Sequence, residues 1–131
     1  MESEKMETAK SQTVLVVDDE EYLRETVSHK LKLEGYNVIT AADGYEAISK
    51  IENEKPDLVV LDIMMPHMSG LELLDLIKIY FINRQIPVLL MSTLNQDEVI
   101  SSAYDLGVDG YIIKPFEMDE LVRRVGKVFA S

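Results

Sequence analysis

The chain has 131 residues and a mass of 14.9 kDa, enough for one domain with its own core, and its 47% apolar content argues against disorder throughout. It has no cysteine, which excludes a disulfide scaffold, thiolate zinc sites and a thiol nucleophile. Thirteen basic against 24 acidic residues give a formal net charge of -11, which disfavours direct binding of nucleic acid by this chain.

No segment resembles a transmembrane span or a signal peptide, so we expect a soluble protein of the cytoplasm that has no membrane partner. The first residues, MESEKMETAK, are polar and mixed in charge. We therefore expect residues 1–11 to form a flexible tail and residues 12–131 to form the folded domain.

Short β-branched runs alternate with segments of helical periodicity along the chain. Strands are predicted over residues 13–17, 36–40, 57–61, 87–91 and 110–113. Each strand precedes a predicted helix. The first helix stops at Gly35, Asp43 caps the second, Ser69 and Glu72 open the third as a capping box, and the fourth stops at Gly107. Five βα units predict a parallel sheet with helices on both faces.

Polar side chains follow four of the predicted strands. They are Asp18, Asp19, Asp62, Ser92, Thr93 and Lys114. The carboxyl ends of parallel strands meet at one edge, so these side chains are expected to lie together there. Three clustered carboxylates repel one another and favour a hard cation, Mg²⁺ or Mn²⁺. With Lys114, the metal can neutralise a phosphoryl group while a carboxylate oxygen attacks in line.

Four segments of the chain resemble a known family in order and separation. They are VLVVDDEE, VVLDIMMPHMSG, PVLLMST and GYIIKPF, and they are similar to the receiver domains of bacterial and archaeal two-component response regulators. The resemblance runs from about Thr13 to Phe129. It implies a flavodoxin-like doubly wound (βα)5 fold with strand order 2-1-3-4-5. It also implies a signalling phosphoacceptor that assists its own Mg²⁺-dependent phosphorylation and dephosphorylation, and is not an enzyme in the usual sense.

The resemblance also implies roles for the acidic residues. Asp62 is similar to the phosphoacceptor of the family. Asp19, Asp62 and the backbone carbonyl of Met64 match the direct Mg²⁺ ligands, and Asp18 matches a ligand that acts through water. Lys114 matches the lysine that pairs with the phosphoryl group. A lone aspartate at a strand end is most often a turn former, so the functional interpretation depends on the four charged residues occurring together.

Two further positions match the switch residues of the family. The hydroxyl of Ser92 is expected to move toward the phosphoryl group, and the ring of Tyr111 to turn inward as that hydroxyl leaves. The bond between Lys114 and Pro115 is expected to be cis. The implied partners are a histidine kinase or phosphotransfer protein and an unidentified output protein bound by the face of helix 4, strand 5 and helix 5. We expect a monomer or a phosphorylation-dependent dimer.

Two residues depart from the commonest family pattern. Thr93 stands where the family usually has alanine or glycine, and it is predicted to crowd the access of water or phosphodonor. Met64 has no polar side chain to position a water molecule. Both departures predict slow phosphoryl exchange.

Three other functions compete with this interpretation. A phosphatase of the haloacid dehalogenase type needs a second acid two residues after its nucleophile, where this chain has Met64. A flavodoxin-like electron carrier needs a phosphate-binding loop after the first strand, where this chain has DDEEY. A degenerate receiver acting as a binding module normally lacks the acceptor or the acidic pair. Few residues follow the last helix, so we expect a stand-alone regulator or an excised receiver.

Overall fold

Between residues 12 and 130, five parallel strands form the central sheet, and a helix follows each of them. The structure is a computed structural model that describes residues 12–130, so the predicted tail of residues 1–11 lies outside the described residues. The strands are β1 Thr13–Val17, β2 Asn37–Ala41, β3 Leu58–Asp62, β4 Val88–Ser92 and β5 Gly110–Ile113. The helices are α1 Glu21–Leu33, α2 Gly44–Glu54, α3 Gly70–Tyr80, α4 Asp97–Asp105 and α5 Met118–Ala130, with a short 3₁₀ turn at Ile82–Arg84.

The sheet has the order β2-β1-β3-β4-β5, which confirms the predicted doubly wound fold. Three strands, β2, β3 and β4, begin and end one residue later than the sequence predicted. The shift follows from the ladder, because Asp62 still pairs with Met91, and Ser92 with Ile113. The two polar residues are thus the last residues of their strands.

The hydrophobic core lies in two layers, one on each face of the sheet. Along β1, Val14 and Val16 pack with α1 and α5, whereas Leu15 and Val17 pack with α2, α3 and α4. Side chains alternate between the two faces of a strand, so a strand covered on both sides is apolar at every position. No helix between residues 12 and 130 is long and apolar enough to cross a membrane.

The predicted helix ends are confirmed in detail. Asp43 and Ser69 each accept a hydrogen bond from the backbone N–H three residues later, at 2.8 and 3.2 Å. Gly35 and Gly107 have φ angles of 100° and 96°, the left-handed conformation that ends α1 and α4. The stop at Gly107 leads into β5, and Lys114 directly follows that strand.

Candidate functional site

Three aspartates meet at the carboxyl edge of the sheet. Asp18 and Asp19 directly follow β1, and Asp62 ends the neighbouring strand β3. One carboxylate oxygen of each lies within 4.8 Å of the others. Asp18 and Asp62 are buried, while Asp19 is exposed to solvent. The structure therefore brings together the three carboxylates that the sequence placed at strand ends.

Lys114 reaches the same cluster from the loop after β5. Its Nζ atom lies 3.4 Å from an oxygen of Asp18 and 3.4 Å from an oxygen of Asp62. Its backbone N–H donates to the carbonyl of Ser92 at 2.8 Å, which fixes the loop beside β4. The peptide bond between Lys114 and Pro115 is cis, as predicted. One ammonium group is thus shared by two buried carboxylates.

The buried carboxylate of Asp62 is held in an environment that resists its ionisation. Burial raises the pKa of Asp62 above its ordinary value of 3.8, and the charge of Asp18 raises it further. The Lys114 ammonium and the N–H of Met64, 3.3 Å from Asp62 Oδ1, lower the pKa without reversing that direction. An additional positive charge in the pocket would therefore stabilise the ionised form of Asp62.

The donor set of the pocket fits a hard divalent cation. Three carboxylates and one ammonium sum to a formal charge of -2, which a divalent ion neutralises. The three aspartates offer carboxylate oxygens, the kind of ligand that Mg²⁺ and Mn²⁺ prefer. The acidic pocket thus fits Mg²⁺ binding and aspartyl phosphorylation.

The loop between β3 and α3 brings backbone groups to the pocket. The Met64 side chain is 58% exposed, so the contribution of this residue to the pocket comes from its backbone. The role of its carbonyl as a metal ligand stays a prediction.

Gly70 is a residue that the sequence analysis missed. Its N–H donates to the carbonyl of Ile63 at 2.8 Å. A Cβ atom at this position would overlap the backbone of Asp62 and Ile63, so only glycine lets α3 begin this close to β3. A glycine directly after the N-cap residue Ser69 is the signal from which this close approach could have been predicted.

Contacts to Asp18 were missed as well. Arg24 donates from Nη1 to the Asp18 carbonyl at 2.8 Å, and the Glu20 N–H donates to Asp18 Oδ1 at 2.9 Å. Together they fix the turn between β1 and α1 and orient Asp18 toward the pocket. No spacing rule distinguishes Arg24 from the other charged residues of α1.

Ser92 and Tyr111 both contact the peptide groups of Leu94 in the loop after β4. The Leu94 N–H donates to Ser92 Oγ at 3.0 Å, and the Tyr111 hydroxyl donates to the Leu94 carbonyl at 2.6 Å. Burial raises the pKa of Tyr111 above 10.0, although the hydrogen bond with Ser92 lowers it. The Tyr111 ring is only 5% exposed, so the ring is already turned inward in this structure.

Thr93 directly follows Ser92, and its side chain is exposed. It lines a groove of about 320 Å³ whose other residues come from the start of α1, the loop after β5 and the first residue of α5: Glu20, Leu23, Lys114, Pro115, Phe116 and Met118. The groove opens beside the shared ammonium of Lys114. A molecule that approaches the pocket from this side passes Thr93.

The face formed by α4, β5 and α5 connects to the site through Tyr111. Arg124 on α5 donates from Nη1 to the backbone carbonyl of Tyr111 at 3.2 Å. Arg123 is exposed on the same helix, and Tyr104 is exposed on α4. The predicted partner surface thus has solvent-exposed residues and a direct hydrogen bond from α5 to β5.

A doubly wound α/β domain with a lysine and three aspartates at its carboxyl edge is the architecture of a phosphoacceptor signalling domain. The sequence model of the response regulator receiver domain matches residues 14–126. The chain belongs to the response regulator receiver domain family.

Several proteins of known name are similar to the chain. The probable transcriptional regulatory protein TcrX of Mycobacterium tuberculosis is 45% identical over 113 residues, which cover 86% of this chain and 47% of the relative. The chemotaxis protein CheY4 of Vibrio cholerae has a TM-score of 0.84 and 33% identity, over 89% of this chain and 98% of CheY4. A chain of the CheX-CheY-BeF3-Mg²⁺ complex of Borrelia burgdorferi has a TM-score of 0.84 and 32% identity, over 92% and 90% of the two chains.

The length of the match differs between the two kinds of relative. The chain spans about half the length of the curated relatives it matches, 47% of TcrX and 46% of the regulatory protein PhoP of Bacillus subtilis. It spans nearly the whole of CheY4. The similarity is therefore to the receiver part of the longer regulators.

Proposed function

We propose that Asp62 accepts a phosphoryl group from the phosphohistidine of a histidine kinase or of a phosphotransfer protein. The observation that carries the proposal is the buried Asp62 carboxylate, with the Lys114 ammonium 3.4 Å away and two more aspartates beside it. The proposal places the chain in the same compartment as the phosphodonor, the cytoplasm.

The transfer exchanges one bond to phosphorus for another. A carboxylate oxygen of Asp62 forms the new bond, the bond from phosphorus to the donor imidazole nitrogen breaks, and the imidazole takes up a proton. Lys114 pairs with an oxygen of the arriving phosphoryl group and so replaces part of the hydration that this charge loses. Burial, and to a smaller extent the charge of Asp18, raises the pKa of Asp62, so a cation bound beside it would favour the ionised carboxylate that attacks phosphorus.

The metal ligands are proposed to be Asp19, Asp62 and the Met64 carbonyl, with Asp18 acting through water. Bound Mg²⁺, or Mn²⁺ in its place, supplies neutralisation of phosphoryl charge. The burial of the two neighbouring aspartates supports their different proposed roles. Asp19 is exposed and can approach an ion directly, whereas Asp18 Oδ1 already accepts a hydrogen bond from the Glu20 N–H. The similar Borrelia burgdorferi complex contains Mg²⁺ and BeF3.

The phosphodonor is proposed to enter through the groove beside Thr93. This groove combines apolar side chains, Leu23 and Phe116 among them, with the phosphoryl-binding Lys114 at one side. The exposed Thr93 side chain lines this groove, and we propose that it crowds the entrance and so slows phosphoryl exchange. The Met64 side chain offers no polar group to position an attacking water, and this adds to the same effect.

Phosphorylation is proposed to act on an output protein through Ser92, Tyr111 and the face of α4, β5 and α5. A phosphoryl group brings about -1.5 to -2 charge and three acceptor oxygens, which attract the Ser92 hydroxyl. The Ser92 hydroxyl then no longer accepts the hydrogen bond from the Leu94 N–H. The loop after β4, which Tyr111 also contacts through the Leu94 carbonyl, can then shift. The hydrogen bond from Arg124 to Tyr111 carries the change to α5. The phosphorylated chain acts as a monomer or dimerises through this face.

The test is intact mass spectrometry after incubation with acetyl phosphate or phosphoramidate in Mg²⁺. We expect one phosphoryl adduct on the wild-type chain, none on Asp62→Asn and none in the presence of EDTA. Asp97→Asn, which changes an exposed aspartate at the start of α4, serves as the matched control and keeps the adduct. An adduct that persists in Asp62→Asn, or wild type that stays unmodified by both donors, would contradict the proposal.

A further inference from the structure

An apolar groove separates helices α2 and α3 on the outer side of the sheet. It has a volume of about 510 Å³ and is lined by Tyr45, Ile48, Glu52, Met68, Leu76, Tyr80 and Phe81. None of these residues belongs to α4, β5 or α5, so this α2–α3 groove is separate from the output face described above. Nor do they contribute a side chain to the acidic pocket.

The two tyrosines of the groove leave much of their apolar surface in water. Tyr45 is 65% exposed and Tyr80 is 74% exposed. Two further large apolar residues next to Tyr80 in sequence, Ile79 and Ile82, are also exposed. A single exposed aromatic side chain is ordinary, but a groove lined by aromatic and aliphatic side chains is typical of a surface that another chain covers.

The spacing of the lining residues defines the shape of the groove. Tyr45, Ile48 and Glu52 form one stripe of α2, and Glu72, Leu76 and Tyr80 occupy one stripe of α3 at intervals of four residues. The strands are parallel, so both helices run in the same direction. Glu52 and Tyr80 therefore line the end of the groove where both helices finish. At the other end Tyr45 lines the groove, and Glu72 lies one turn before Leu76 on the same stripe of α3, just outside the lining.

The length of the groove matches a short helix. Each of the two helices has 11 residues, which at about 1.5 Å per residue gives a groove of about 16 Å, or three helical turns. A partner helix presents apolar side chains at i, i+3, i+4 and i+7 over such a length.

The charge around the groove is negative. Helices α2 and α3 contain five acidic and two basic residues, a formal charge of -3. Arg84, whose guanidinium carbon lies 4.9 Å from the ring centroid of Phe81, adds one positive charge beside the groove and leaves a formal charge of -2. Both lysines already form ion pairs, Lys50 with Glu54 at 3.5 Å and Lys78 with Asp109 at 3.0 Å. Among the ion pairs between residues 12 and 130, none includes Glu52 or Glu72. A second copy of the same face would bring like charges together, whereas a basic partner neutralises them.

We propose that the α2–α3 groove binds a basic amphipathic helix of a partner protein. The apolar side chains of that helix lie between Tyr45 and Tyr80, against Ile48, Leu76 and Met68. Lysine or arginine residues near its two ends pair with Glu72 and Glu52. This surface is additional to the output face, and its occupation does not require phosphorylation of Asp62.

The test uses a synthetic helical peptide of about 15 residues, with leucines on one face and lysines elsewhere, and ¹⁵N-labelled protein observed by NMR. The control peptide has the same composition with its leucines dispersed around the helix. We expect the amphipathic peptide to shift the amide signals of α2 and α3, and the dispersed peptide to bind at least about fivefold more weakly.

Variants separate the groove from other surfaces. Tyr45→Ala and Tyr80→Ala should each weaken the peptide about fivefold or more, whereas Tyr104→Ala, a 51% exposed tyrosine on α4, should not. Glu52→Lys should weaken binding more than Glu25→Lys, which reverses an exposed charge on α1. The amide spectrum of each variant verifies that it is folded.

Four results would overturn the proposal. They are signal shifts centred on α4, β5 and α5, equal affinity for the two peptides, an equal loss in Tyr104→Ala, and shifts of the groove signals with protein concentration alone. The last result would assign the groove to a second copy of the chain. Because the experiment uses the unphosphorylated protein, its failure leaves the proposed phosphotransfer untouched.

Discussion

Replacing Asp62 by asparagine should make the metal-free protein more stable at neutral pH. The substitution removes one buried negative charge and keeps the shape of the side chain. The amide oxygen can still accept the hydrogen bond from Met64, and Lys114 keeps its partner Asp18 at 3.4 Å. The change therefore isolates the cost of the charge itself.

The magnitude follows from the distances in the pocket. At an effective dielectric constant of about 20, Lys114 at 3.4 Å attracts the Asp62 carboxylate by about 5 kcal/mol, and Asp18, which lies within 4.8 Å, repels it by at least about 3.5 kcal/mol. The net attraction is therefore at most about 1.5 kcal/mol, which is smaller than the several kcal/mol that burial of a carboxylate costs. We therefore expect the free energy of unfolding to rise by about 1–3 kcal/mol in Asp62→Asn.

The pH dependence has a definite sign. The pKa of Asp62 is raised above 3.8 in the folded chain, so the folded state binds more protons than the unfolded state just above that pH. The free energy of unfolding of the wild type thus falls as the pH rises above 3.8 and Asp62 loses its proton. The variant has no carboxyl group at this position, so its stability does not fall for this reason. The advantage of Asp62→Asn should be small near pH 4 and full at pH 7.

Urea denaturation in EDTA at pH 4.5 and pH 7 measures both effects, and the melting temperature should rise by about 4 °C per kcal/mol. Asp97→Asn provides the control for loss of an exposed charge. Mg²⁺ should then stabilise the wild type more than the variant, because Asp62→Asn removes one carboxylate of the proposed metal site. Equal or lower stability of the variant at pH 7 would refute the reasoning that burial dominates the electrostatics of this pocket.

The remaining predictions concern the residues around the pocket. Gly70→Ala should lower the free energy of unfolding by about 2 kcal/mol or more, because the new Cβ atom meets backbone atoms of Asp62 and Ile63. Gly126→Ala, which lies in open space on α5, should raise the free energy of unfolding by about 0.5–1 kcal/mol. Urea denaturation measures both variants, and equal effects would contradict the close approach of α3 to β3. Thr93→Ala should speed decay of the phosphoryl adduct in intact mass spectra, and equal decay rates would remove the idea of a crowded entrance. Tyr111→Phe should cost about 1 kcal/mol by loss of the 2.6 Å bond to Leu94, and unchanged urea midpoints would show that this bond contributes nothing.

Much of the fold was predictable because local signals agree with the topology. The apolar β1 and β3 strands predict burial on both faces, and Asp43 and Ser69 predict helix starts that the structure confirms. The error of one residue in β2, β3 and β4 has a physical cause. Strand limits are set by pairing with neighbours, and that information lies in residues far apart in the sequence.

The site was predictable where parallel topology alone brings residues together. Asp18, Asp19, Asp62 and Lys114 meet because the ends of parallel strands share an edge. The contact of Arg24 with the Asp18 carbonyl was not predictable, because it depends on the direction of one long side chain.

The position of the Tyr111 ring places a constraint on how the proposed switch works. The ring is already inward while Ser92 still accepts the hydrogen bond from Leu94, so an inward ring does not by itself require a displaced hydroxyl. The step that phosphorylation adds is then the exchange of a neutral hydrogen bond, worth about 0.5–1.5 kcal/mol, for one to a charged oxygen, worth about 1.5–3 kcal/mol. A gain of about 1 kcal/mol changes the ratio of two loop positions about fivefold. Such a shift is partial, and a partner that binds the face of α4, β5 and α5 supplies the remainder by selecting one position.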